Sequence, residues 1–88
     1  MNEVRWSVEV VVDEHQNRTR AVAMLNAADK PTLTGTGLAK RDPKDCDVPA
    51  IGDELAVARA LADLAHQLIE ATIEDIETAT QRPAHLTG

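Results

Sequence analysis

The sequence predicts an α+β domain, a three-stranded, mainly antiparallel sheet followed by one long helix or helix pair. Three observations carry this expectation. Apolar and polar residues alternate over residues 4–12, 18–26 and 32–40, the period of a half-buried strand. Apolar spacing then becomes helical over residues 53–80. The connections between the alternating runs are of hairpin length, which favours antiparallel pairing.

The first run sets Val4, Trp6, Val8, Val10 and Val12 against Arg5, Ser7, Glu9 and Val11. Its valine face, with Trp6 in it, is expected to point into the core. Residues 13–17 are polar and read as a hairpin loop. In the second run Thr19, Ala21, Ala23 and Leu25 share one face. Their small size suits close helix packing, which sends Arg18 and Arg20 outward with Arg5. The third run carries Gly35 and Gly37 on one face, where glycine permits close backbone approach or a bulge.

Residues 41–52 contain Pro43 and Pro49 and read as the crossing from sheet to helix. Gly52 serves as N-cap, and Asp53 and Glu54 would complement the helix dipole. Leu55, Ala58, Ala62, Ala65 and Ile69 form a stripe, joined by Leu61 and Leu68. Arg59 and Asp63, four apart, can pair. Val57, Ala60, Leu64 and Ala71 widen the apolar arc beyond the need of one small sheet, which suggests a second contact. Thr72-Ile73-Glu74-Asp75 resembles a capping box, so a break near Ala71 and a continuous helix are both open. Pro83 ends the helix, and residues 82–88 form a tail.

The 88 residues make one domain, 1–88, with 43% hydrophobic and 27% charged residues, enough to fold. A single Trp with no Tyr or Phe argues against aromatic base-stacking platforms. One Cys excludes an intramolecular disulfide framework and a multi-cysteine zinc site. No apolar run approaches the roughly 20 residues of a membrane span and no signal segment is visible, so a cytoplasmic location is expected.

Net charge is -6, unevenly spread. Residues 1–44 hold seven Lys/Arg against six Asp/Glu, whereas residues 45–88 hold two against nine. Acidic proteins are repelled by phosphate backbones unless their basic residues cluster.

Catalytic, cofactor and metal sites find no support. His15, His66 and His85 share no metal-ligand spacing. His15 lies in a charged turn without a visible nucleophile, and His66 reads as solvated. Gly35-Thr36-Gly37 lacks the phosphate-loop pattern. Asp45 and Asp47 should blunt the reactivity of Cys46. Asp42, Asp45 and Asp47 miss the EF-hand spacing and read as a solvated loop or an acidic lip for a basic partner. Arg5, Arg18, Arg20, Lys40 and Arg41 remain. Their two readings are ordinary cross-strand pairing with Glu9, or a phosphate-contacting patch on the open sheet face. A small sheet with two edges and one open side also predicts a homodimer, through edge pairing or the wide helix arc.

Several segments together resemble a known family. They are Asp13-Glu14-His15, Thr19-Arg20-Ala21, the run from Gly37 to Pro43, the run from Val48 to Leu55, Ala58-Arg59-Ala60-Leu61 and Asp75-Ile76-Glu77. The chain is similar, over about residues 4–85, to the small actinobacterial conserved-hypothetical proteins of the dormancy-associated group. The resemblance implies a fold like that of double-stranded-RNA-binding domains, a dimer, and likeness to ribosome hibernation promoting factors. It implies no catalytic residues. The resulting expectation is a non-enzymatic stress or dormancy factor, ribosome- or rRNA-associated, with no cofactor, membrane or small-molecule substrate. The alternative is a protein–protein interaction module whose acidic helix or loop meets a basic partner.

Overall fold

The computed structural model describes residues 2–40 and 48–86. Strands β1 (Ser7–His15), β2 (Arg18–Asn26) and β3 (Leu33–Lys40) form one antiparallel sheet in the order β1-β2-β3, followed by helix α1 (Pro49–Thr80). The α+β expectation holds, with one continuous helix.

β1 begins and ends three residues later than the alternation alone suggests. Asp13, Glu14 and His15, read as loop, pair with Arg20, Thr19 and Arg18. The connection shrinks to Gln16 and Asn17, with Gln16 at φ 54°. A two-residue hairpin turn needs a positive φ, and its closure draws the polar residues into the ladder. β3 matches its expected range to within one residue, and an unbroken register excludes a bulge at its glycines.

The core lies between α1 and the β2–β3 half of the sheet. Its buried side chains are Ala21, Ala23, Leu25, Ala39, Ala56, Ala60 and Leu64. Five of the seven are alanine, so burial of apolar area is modest and the contact rests on proximity. Gly35 and Gly37 set that proximity. A Cβ on Gly37 would collide with the Ala56 carbonyl and the Ala60 nitrogen, and one on Gly35 with the Ala60 carbonyl and the Leu64 nitrogen. The helix backbone therefore rests directly on β3.

Because α1 crosses β2 and β3, it leaves β1 largely uncovered. Val10 packs against the core, but Trp6, Val8 and Val12 remain 48%, 45% and 38% exposed. The expected burial of the whole valine face is thus corrected: one helix, about 10 Å wide, cannot cover three strands spaced about 4.8 Å apart. Lys30 instead sits 5.6 Å over the Trp6 ring.

α1 starts four residues before its expected beginning, with Val48 as N-cap and Pro49 in the first turn. Proline is favoured there because its missing N–H would have no intrahelical acceptor. Gly52 lies inside the helix against Thr19, and Asp53 and Glu54 fall beyond the first turn. Thr72 does not cap a second helix; its hydroxyl donates to the Leu68 carbonyl at 2.8 Å. The helix ends at Gln81, in the left-handed region at φ 57°, whose N–H donates to the Glu77 carbonyl. The 32-residue helix is about 48 Å long and sets the longest dimension of 53 Å.

The two apolar arcs of α1 have separate roles. Ala56, Ala60 and Leu64, flanked by Val57 and Leu68, face the sheet. The stripe of Ile51, Leu55, Ala58, Ala62 and Ala65 lies on the opposite side and is exposed.

Candidate nucleic-acid interface

Antiparallel register decides which side chains share a face. Residues opposite Ala21, Ala23 and Leu25 look toward the helix, and the intervening residues form the open face. At its centre Val11 opposes Val22, which opposes Thr36; Met24 lies between Glu9 and Thr34. Toward the hairpin end Asp13 opposes Arg20, which opposes Leu38. At that end His15 opposes Arg18, which opposes Lys40. All of the ionisable residues here are exposed.

Three of the five basic residues singled out from the sequence therefore converge: Arg18, Arg20 and Lys40 share one end of the open face. Arg5 does not join them. It lies beyond the other end of β1, and its guanidinium contacts the Glu3 carboxylate at 3.2 Å. Ten residues of extended chain place it about 33 Å from His15. Arg41, together with the Asp42–Asp47 segment and Cys46, lies outside the described residues. The expected cross-strand partner also changes: Asp13, not Glu9, stands opposite an arginine. Because side chains alternate by two, a three-residue shift of β1 alters which acid meets which base.

The helix side carries the opposite charge. α1 holds seven carboxylates and one arginine. His66 contacts Glu70 at 3.0 Å on its exposed surface. Near the helix start, Glu14 of β1 meets Asp53. A hydrogen bond with the Asp53 carboxyl, its negative charge and some loss of water hold the Glu14 pKa above the usual carboxylate value.

Among the described residues, no group of three or more His, Cys, Asp or Glu gathers to hold a metal ion. No helix among them is long and apolar enough to cross a membrane. A cavity of about 80 Å³ between Trp6, Lys30, Leu33, Leu68 and Asp75 is far below the 300–1,000 Å³ of small-molecule sites.

A small sheet layered on one long helix, with an open, partly basic sheet face, defines the class of protein. Residues 4–85 match the Rv2632c-like family model, and the chain belongs to that family. It is 51% identical over 76 residues to the uncharacterized protein Rv2632c of Mycobacterium tuberculosis (strain ATCC 25618 / H37Rv), covering 86% of this chain and 81% of the relative. It is 48% identical over 81 residues to the uncharacterized protein Mb1767 of Mycobacterium bovis, covering 92% and 85%. The crystal structure of Rv2632c superposes with a TM-score of 0.84 at 47% identity, over 94% of this chain and 98% of that one.

Proposed function

We propose that this chain is a non-enzymatic, cytoplasmic stress or dormancy factor that associates with RNA of the translation machinery, in the manner of hibernation factors, through its open sheet face. One observation carries the reading: β-pairing collects Arg18, Arg20 and Lys40 at one end of the sheet face opposite α1, on an otherwise acidic molecule. Clustered cations on one face and carboxylates on the other orient the protein toward a polyanion while keeping the helix away from it. The absence of aromatic residues from the open-face register suits contact with backbone phosphates rather than stacked bases. The double-stranded-RNA-binding-domain fold that the family resemblance implies would point to the same reading.

Co-sedimentation with actinobacterial ribosomes and separate subunits across a salt series tests it. Saturable binding should fall as salt rises, and Arg18→Glu with Arg20→Glu should abolish it. Undiminished binding by the double variant would remove the sheet face as the contact surface.

A second reading is favoured by the seven carboxylates of α1. In it the protein is an interaction module whose helix meets a basic protein partner. Charge reversal at Glu70 would then matter more than at Arg18. In either reading the working unit is a homodimer, because the edge of β1 and the outer stripe of α1 both remain uncovered within one chain.

A further inference from the structure

His15, Arg18 and Lys40 form a single row across all three strands on the open face. Directly opposed residues of an antiparallel pair hold their Cβ atoms about 4.5–5.5 Å apart. The row therefore brings three nitrogen-bearing side chains within reach of one phosphate group. Two of them, Arg18 and Lys40, are basic side chains that stand directly opposite one another. Like charges in that relation are destabilising, and an anion between them relieves the repulsion. The next row toward the centre is different: Arg20 faces Asp13, which offsets its charge. Among the described residues the outer row contains no carboxylate.

We infer that the His15–Arg18–Lys40 row is a binding site for an RNA backbone phosphate, and that protonation of His15 tightens its grip. The inference rests on the RNA-association reading and adds to it a residue and a dependence on pH. Histidine is the side-chain type whose charge change ordinarily falls between about pH 5 and 8, and His15 is the histidine of the row. Neutral His15 offers one donor; the imidazolium offers two and adds a positive charge to the row. Among the described residues, the groups that face it on this side are Arg18 directly opposite, Asp13 along β1, Arg20 diagonally and Lys40 beyond Arg18. Among the described residues no element covers the face: α1 packs on the other side of the sheet.

The test is binding of a fluorescein-labelled RNA duplex of about 20 base pairs, by anisotropy, at about pH 8 and about pH 6 and constant ionic strength. One added phosphate contact releases about 0.9 counterion, so affinity should rise about eightfold at 0.1 M salt and the salt slope should steepen by about one. His15→Gln should lose the gain in affinity between pH 8 and pH 6. His66→Gln, remote from the row and beside Glu70, should retain the gain. Arg18→Gln should weaken binding at both pH values. Binding that does not change with pH, or a gain that persists in His15→Gln, would overturn the inference while leaving RNA association standing. Absence of duplex binding at both pH values would overturn both.

Discussion

The Asp63 carboxylate accepts a hydrogen bond from the backbone N–H of Thr36 at 2.9 Å, so the helix reaches around and caps the outer edge of β3. Two more helical side chains continue the cap. Arg59 donates to the Leu38 carbonyl at 2.7 Å and Gln67 donates to the Thr34 carbonyl at 2.6 Å. Residues 59, 63 and 67 lie one turn apart on α1, and residues 38, 36 and 34 alternate along β3, so helix pitch and strand rise match. Exposed strand edges invite unwanted pairing, and this ladder blocks one of the two. Asp63→Ala should therefore lower stability by about 0.5–1.5 kcal/mol, the usual worth of one such bond. It should also promote concentration-dependent association, read by urea unfolding and sedimentation velocity.

Gly37→Ala should be more damaging than its single methyl suggests. The added Cβ would meet helix backbone at Ala56 and Ala60, and 2.8 Å away the Arg59 Cβ. Overpacking of a side-chain core costs about 1–3 kcal/mol, and here the obstacle is backbone, which cannot rotate away. For a domain of this size that corresponds to a Tm loss of about 5–20 °C. A Tm within a degree or two of the parent would refute the close helix–strand contact.

The Glu14–Asp53 pair should make stability depend on acid. Glu14 titrates above its usual value in the folded chain, chiefly through its hydrogen bond with Asp53 and the charge of Asp53. A carboxyl whose folded pKa is raised binds its proton more tightly folded than unfolded. Folding is thus favoured as pH falls through that raised value, and the advantage disappears above it. Glu14→Gln should match the parent in mild acid and exceed it at neutral pH, where the ionised pair repels. Thermal melts of both proteins from about pH 3.5 to 7 check the sign.

The edge of β1 and the outer stripe of α1 predict different homodimers. Because the Thr36 N–H points outward, alternation through Val22 and Val11 turns the N–H of Val8 outward from β1. Val8→Pro removes that donor without breaking the β1–β2 ladder and should abolish an edge-paired dimer. Leu55→Lys with Ile51→Lys should instead abolish a helix-packed dimer. Light scattering coupled to size exclusion would show the 9.5 kDa chain mass for whichever variant breaks the contact. Retention of the parent mass by both would place the interface elsewhere.

The element types, their order and the range of β2 were legible in the sequence because period and turn composition are local properties. Alternation marked three strands, helical spacing marked α1, and Gly35 and Gly37 pointed to close approach or a bulge. The family resemblance was likewise carried by short local motifs. What sequence spacing left undecided was which surface each residue meets. The hairpin turn fixed the β1 register and moved His15 from a loop to a place opposite Arg18. The crossing of α1 over β2 and β3, enforced by two glycines, exposed most of the β1 valines and turned the Leu55–Ala65 stripe outward. Arg59 and Asp63, four apart, looked like a pair along the helix, yet both reach the β3 backbone. Arg5, Arg18 and Arg20 look equivalent in an alternating sequence, and only the length of a strand separates the first from the others. Periodicity determines that a residue has a face; long-range packing determines what that face touches.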